Sequence, residues 1–214
     1  MSSQTTFIKK TGGAPANVAC VIGALGGKCS FFGAVGKDGF GDYLEQTLKS
    51  FSVDCSQLKR SNKSTTLAFV AIDEHGDRDF VFARGADADV SFEDLQWSIR
   101  SQAPIVHFGS ATGFLEGHLE TTYLQLLERS YVEDKFVSFD PNYRTAFWEE
   151  NIELFRDKVH VFMEKSDFIK LSDEEALLIT NTASLEKAKS ILSEKYDGTF
   201  AITDRKSTRL NSSH

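Results

Sequence analysis

Cysteine is scarce in this chain of 214 residues, and what there is follows no pattern. Cys20, Cys29 and Cys55 make an odd number that fits no disulfide framework, and their spacing matches no metal-ligand set. They read as buried or incidental thiols in a reducing compartment. Positive charge is also short. Against 31 Asp and Glu stand 24 Lys and Arg, a formal charge of −7, whereas a protein that grips a phosphate backbone needs a basic face. Nucleic acid is therefore not an expected partner. No apolar run approaches the roughly 18 residues of a membrane span, and no charged-then-apolar leader opens the chain. The expectation is a cytoplasmic protein with no membrane partner. Two nucleotide-binding signatures are missing as well. Lys28 follows Gly26-Gly27 without the upstream glycine of GxxxxGK[ST], and Gly33, Gly36, Gly39 and Gly41 are not spaced as G-x-G-x-x-G.

What remains is ordinary in bulk and unusual in one place. A hydrophobic fraction of 41% and a charged fraction of 26% are those of a soluble globular protein, long enough for one domain with a small appendage. Nine of the fifteen glycines, however, fall within Thr11 to Gly41, TGGAPANVACVIGALGGKCSFFGAVGKDGFG. Paired glycines at Gly12 and Gly13 let backbone approach a ligand closely. Pro15 suits the first turn of a helix, where a missing N–H costs little. Ala16 to Leu25 is small and apolar enough to pack as that helix on a sheet. Its first turn offers unpaired N–H groups, and Asn17 adds an amide that both donates and accepts. Two readings stand: a tight loop before a buried helix, or a site for a ligand rich in hydroxyls.

From Lys28 onward the pattern alternates strand and helix. Lys28 to Val35 reads as a strand and Asp42 to Phe51 as an amphipathic helix with Leu44 and Leu48 on one face. Thr65 to Ile72 and Phe80 to Phe82 are β-rich runs, and DEHGDRD between them is a hairpin turn around Gly76. Ser91 with Glu93 and Asp94 opens a helix to about Arg100. Ile105 to Phe108 is a short strand ending in Gly109-Ser110, which suits the crevice where open α/β sheets bind ligands. His107 inside that run reads as a satisfied core histidine. Helix Gly117 to Ser130, strand Phe136 to Phe139, helix Trp148 to Glu164, strand Asp167 to Leu171, helix Ser184 to Tyr196 and strand Thr199 to Thr203 follow.

Two strand ends carry chemistry. Phe136 to Phe139 runs into Asp140-Pro141-Asn142-Tyr143-Arg144, where Arg144 presents a planar fork of donors suited to phosphate and Asn142 can orient a phosphate or a metal-bound water. A plain structural turn is the alternative. The strand 167–171 runs into Ser172-Asp173-Glu174-Glu175, an acidic helix start that the helix dipole alone would favour.

Gly12, Gly13, Pro15, Asn17, Ala19, Gly26 and Gly36 together reproduce the N-terminal signature of the PfkB (ribokinase-like) carbohydrate kinases. The wording GGAPANVA followed by FFGAVGKDGFG resembles the fructokinases among them. The DPNYR segment is similar to the family's D-x-N-x-R, and Ser172 to Glu175 to its N-x-x-E with serine in place of asparagine. The resemblance runs to about Thr203. It implies an α/β fold, the ribokinase-like three-layer α/β/α sandwich with a small, partial β-sheet lid, over residues 1–203. The hairpin near residues 65–87 would be that lid.

The resemblance also implies an activity. The intact parent would transfer the γ-phosphate of ATP to a hexose hydroxymethyl group, with Mg2+ and with fructose as the expected acceptor. Gly12, Gly13 and Asn17 would hold sugar hydroxyls, Arg84 in the ARGAD run would approach from the lid, and Arg144 would bridge sugar and phosphate. Asn142 and Lys170 would meet phosphates, and Glu175 would act indirectly through magnesium. A homodimer through the lid is the expected assembly. Other acceptors known in the family, a 2-keto-3-deoxygluconate, ribose or a nucleoside, are alternatives, as is a non-catalytic sugar-binding protein. The family's first strand and its C-terminal G-A-G-D segment, which holds the general base and the adenine pocket, have no counterpart in the sequence. An inactive fragment with no catalytic residue of its own is therefore expected. Asp204 to His214 resembles translated vector sequence, a non-native-looking tail set aside from the fold.

Overall fold

The computed structural model describes residues 6–72, 78–95 and 103–204. The expected turn at Gly76, the end of the helix expected to reach Arg100 and the tail beyond Asp204 lie outside the described residues. The chain forms two compact units. Met1–Arg100 with Glu116–Thr122 make the first, and Ser101–Leu115 with Tyr123–His214 the second.

In the first unit the glycine-rich stretch builds helix α1 (Ala14–Ala24), two residues earlier than its apolar run suggests, because Pro15 belongs to the first turn rather than before it. Strand β1 (Gly33–Gly36) pairs in parallel with β2 (Leu58–Ser61), Gly33 opposite Leu58 and Gly36 opposite Ser61. Helix α2 (Gly39–Ser50) makes the crossover that parallel pairing demands. The strand expected from Lys28 is thus shorter. Ser30 makes only a single bridge to Asp54 before β1 begins. Ala19, Val35, Leu48, Val53 and Leu58 form the core, and all three cysteines pack partly buried against it, joined in no disulfide among the described residues. A two-stranded antiparallel ribbon follows, β3 (Leu67–Ile72) against β4 (Arg78–Ala83), with Leu67 opposite Ala83 and Val70 opposite Phe80. The helix expected at Ser91 opens instead as a 3-10 turn, Phe92–Asp94. A capping box between Ser91 and Asp94 starts it.

The second unit is a parallel sheet of four strands in the order β5 (Ile105–Gly109), β6 (Phe136–Asp140), β7 (Phe168–Ser172), β8 (Thr199–Thr203). Helices α3 (His118–Val132), α4 (Thr145–Trp148), α5 (Ile152–Met163), α6 (Asp173–Thr180) and α7 (Leu185–Lys195) connect the strands. Strand β6 alternates throughout and β7 along most of its length. Phe108, Val137, Phe139, Ile169 and Leu171 point to one face and are buried. There they meet Phe114 and Phe162, whose rings lie 4.9 Å apart, with Phe139 5.2 Å from Phe162. Each of these rings contributes roughly 1.5–3 kcal/mol by leaving water, and truncating Phe162 to alanine would cost about 3–5 kcal/mol.

Trp148 to Glu164 is not one helix. Trp148 takes φ −128 and ψ −1, and the chain turns through Glu149–Asn151 before α5 begins. The break seats the buried Trp148 ring 5.4 Å from Phe155. Among the described residues no helix is long and apolar enough to cross a membrane.

Candidate active site

Each unit carries its own share of the residues singled out above. In the first, Gly13 sits at the N-cap of α1 with φ +102, a conformation closed to residues with a Cβ. Among the described residues no side chain caps the first-turn amides of this helix. Asn17 donates its backbone N–H to the Gly13 carbonyl at 2.9 Å and lies exposed. Gly12 is exposed too, with nothing within 4 Å of where a Cβ would be. This is an open helix mouth lined by backbone donors and one amide.

Arg84 is not a solvated charge. Its Nε donates to Asp87 at 3.3 Å and its Nη1 to the Glu116 carbonyl at 3.0 Å, so the guanidinium is held at the foot of the β4 strand.

In the second unit the chemistry gathers at the carboxyl ends of β5, β6 and β7. The face opposite the phenylalanines carries His107, Ser138, Asp140 and Lys170. Strand register places His107 beside Ser138, and the Asp140 carboxylate lies 3.3 Å from Lys170 Nζ. Burial raises the Asp140 pKa from its ordinary value, with Lys170 pulling the other way. The other Asp140 oxygen accepts the Asn142 N–H at 3.1 Å. That bond folds the DPN turn, with Asn142 in the left-handed region at φ 46, where asparagine is tolerated. Ser110 closes the neighbouring strand end, its N–H on the Asp140 carbonyl at 3.1 Å and its hydroxyl on the Pro141 carbonyl.

Glu175 is buried, and both its oxygens are committed. Tyr143 N–H donates to one at 2.8 Å and Ser172 N–H to the other at 2.7 Å, while the Ser172 hydroxyl accepts the Glu175 N–H at 3.1 Å. The carboxylate is therefore both half of a capping box for α6 and a strut under the DPNYR turn. Arg144 follows that strut, with Nη1 on the Tyr143 carbonyl at 2.9 Å. The structure thus brings Asn142, Lys170 and Glu175 together around Asp140, while the described bond of Arg144 is to the Tyr143 carbonyl on the same turn. Among the described residues no three His, Cys, Asp or Glu side chains cluster as a metal site would require. With both Glu175 oxygens taken by amides, a direct magnesium ligand does not fit here.

The sequence reading missed Asp140 as the centre of this group. An acid that ends a strand opposite a lysine on its neighbour was the available signal. His107 is only half satisfied. Its Nδ1 lies 3.0 Å from the Ser138 hydroxyl, while Nε2 is buried with no partner.

A four-stranded parallel sheet with polar strand ends, preceded by a glycine-led helix mouth and an antiparallel ribbon, is the ribokinase-like α/β fold. Residues 1–206 match the pfkB family carbohydrate kinase, and the chain belongs to that family. It is 33% identical over 200 residues to a probable fructokinase-5 of Arabidopsis thaliana, covering 92% of this chain and 61% of the relative. To fructokinase-2 of Zea mays it is 32% identical over 203 residues, covering 92% and 60%. Among solved structures, a fructokinase with bound ATP from Xylella fastidiosa superposes with a TM-score of 0.80 at 29% identity, over 96% of this chain and 66% of that one. A fructokinase from Vibrio cholerae in apo form gives 0.81 at 32% identity, over 95% and 69%. The chain thus spans about three-fifths of the length of the plant relatives it matches.

Proposed function

We propose that the protein is an ATP-dependent sugar kinase of the fructokinase type, which moves the γ-phosphate of ATP to a hexose hydroxymethyl group. The observation that carries this reading is the polar cluster at the ends of β6 and β7. There Asp140 accepts the Asn142 N–H and pairs with Lys170, and Arg144 follows two positions along the same turn. Such a group of donors suits phosphate oxygens, and phosphoryl transfer depends chiefly on positioning and on neutralising charge.

In this reading Gly12, Gly13 and Asn17 hold sugar hydroxyls at the mouth of α1, and Arg84 contributes from the ribbon's foot. Asn142, Arg144 and Lys170 meet phosphate. Glu175 acts at one remove, by fixing the backbone of Tyr143 and Ser172. ATP is the phosphate donor when bound, and the bound ATP of the Xylella relative supports that choice. The β3–β4 ribbon serves as the lid. Val70 and Val81 are 41% and 44% exposed, and Phe80 stacks on Phe82 at 5.9 Å, so the ribbon has apolar surface left for sugar and for the lid of a second subunit. The compartment proposed is the cytoplasm. No G-A-G-D segment occurs in the sequence, and we assign the general base to none of these residues. The chain by itself is inferred to turn over no substrate.

ADP release with fructose, ribose, 2-keto-3-deoxygluconate and adenosine tests this, on the chain itself and on residues 6–204 grafted into a full-length relative. Turnover confined to the graft and highest in kcat/KM with fructose supports the reading. A graft most active on another acceptor moves the substrate assignment. Silence with all four sinks the kinase proposal.

A further inference from the structure

Asp38 caps α2 in the usual way, its carboxylate accepting the N–H groups of Phe40 at 3.1 Å and Gly41 at 2.9 Å. A cap needs no more than that. Yet the same carboxylate reaches across the chain to Thr65, at the entry to β3. It accepts the Thr65 N–H at 2.8 Å and the Thr65 hydroxyl at 2.7 Å. The Thr65 hydroxyl oxygen in turn accepts the Gly36 N–H at 2.9 Å, and Thr65 is buried. The two residues on either side of Thr65 hold the other end of the ribbon. Ser64 offers its carbonyl to Ala86 N–H at 2.8 Å, and the Thr66 hydroxyl accepts Gly85 N–H at 2.9 Å while meeting the Asp87 carboxylate.

The arrangement leaves no room for side chains. A Cβ on Gly36 would lie 2.6 Å from the Thr65 nitrogen, and one on Gly85 would strike the Ser64 carbonyl oxygen. Both feet of the β3–β4 ribbon are therefore sewn to each other and, through Thr65, to one carboxylate at the start of α2.

We propose that Asp38 is a positioning residue for the ribbon: it sets the direction in which β3 and β4 leave the body of the first unit, beyond its role as a helix cap. Its bearing on sugar rests on the reading of the ribbon as a lid. The two strands pair only with each other in the sheet, and an isolated two-stranded ribbon is marginally stable in water, so contacts at its feet matter to the direction it holds. Removing the Asp38 charge frees Thr65, and Thr65 releases both feet together.

Native-state hydrogen exchange on the full chain tests the proposal amide by amide, in Asp38→Asn, Thr65→Val and Thr65→Ser beside the parent protein. The expected result is exchange about tenfold faster at Gly85, Ala86 and the paired amides of Leu67–Ala71 and Val81–Ala83 in the first two variants. Val35 and Leu58 should stay within about twofold, and Thr65→Ser, which keeps the hydroxyl, should restore protection. Acceleration limited to Phe40 and Gly41 would reduce Asp38 to a cap and overturn the proposal. Equal acceleration across β1 and β2 would overturn it too, by making Asp38 a support of the whole unit. Fructose titration of the same variants reads the lid role separately. Asp38→Asn should weaken binding about tenfold and Thr65→Ser leave it unchanged. A parent protein that binds no fructose would overturn the sugar assignment, while the exchange pattern would still decide the anchoring of the ribbon.

Discussion

Glu175 and Tyr143 lie 32 positions apart, and a 2.8 Å hydrogen bond from the Tyr143 N–H to the Glu175 carboxylate joins the helix after β7 to the turn after β6. The other oxygen takes the Ser172 N–H, so a single buried side chain fixes two backbone segments. Asn142 and Arg144 stand on one of those segments and Lys170 near the other. Their spacing depends on a residue that presents nothing to a ligand itself.

Glu175→Gln preserves shape but turns an NH2 group toward one of two backbone donors. One amide is then left without an acceptor in a buried place, which costs about 1–3 kcal/mol. Thermal unfolding should show a lower Tm. On the proposed reading of Asn142, Arg144 and Lys170 as phosphate contacts, phosphate affinity should fall as well, although none of those three side chains has changed. A Tm equal to that of the parent protein would mean that the two amides find other acceptors.

The two glycines at the mouth of α1 separate folding from binding. Gly13→Ala forces a Cβ into φ +102 and should destabilise by roughly 1–3 kcal/mol whatever its ligand. Gly12→Ala meets nothing within 4 Å and should stay within about 0.5 kcal/mol of the parent protein. Sugar titration calorimetry on Gly12→Ala is then a clean measure. Affinity should drop about tenfold if backbone at Gly12 approaches a hydroxyl closely, and unchanged affinity would remove Gly12 from the site.

Histidine burial gives the stability curve a sign near neutrality. Burial lowers the pKa of His107, against a smaller raising effect of Asp140, and it lowers that of His160, which Lys195 depresses further. Both are neutral in the folded chain at pH values where the unfolded chain has begun to bind a proton. Their stabilising effect is complete above the unfolded value of 6.5 and is lost as pH falls below it toward the folded values. Asp140 acts oppositely and lower down. Its raised pKa means that stability falls as pH rises from 3.8 toward the folded value. Denaturant unfolding from pH 7.5 to 5, spanning the usual histidine range, should show stability declining with acid, and His107→Phe should flatten part of the decline. An unchanged slope in that variant would assign the whole effect to His160.

Asp38 shapes the acid limb. Hydrogen bonds led by the Thr65 N–H lower its pKa to about 2. A depressed carboxylate stabilises fully above its unfolded value of 3.8, and that contribution is lost as pH falls through about 2. Asp38→Asn should therefore narrow the gap in stability between pH 5 and pH 2, read by unfolding at each pH, whereas a parallel downward displacement at every pH would show that charge is not what matters.

Much of this was legible in residue order, and the exceptions have physical causes. The helix after GGAP, the ribbon and the alternating strands of the second unit follow from apolar spacing and from Pro15. Strand β2 escaped because LKRS alternates nothing; it exists because β1 offers it a parallel partner. Trp148 and its neighbours have helical composition, but the indole finds more burial against Phe155 by leaving the helix. Ser172-x-x-Glu175 is a capping box in plain view, although its likeness to the family's N-x-x-E points to magnesium instead. Asp38 could also have been read as a cap ahead of an amphipathic helix. Its second partner, Thr65, comes 27 residues later, and no local pattern announces a contact at that distance.

Closing the ribbon at its root has a consequence for how such proteins diversify. The amides that seal it belong to residues 85 and 86 on one side and meet residues 64 to 66 on the other. Everything between is a cassette with fixed sockets. Strands β3 and β4 start and end inside those bonds, so the root contacts of residues 64 to 66 with 85 and 86 do not depend on which side chains the strands carry beyond them.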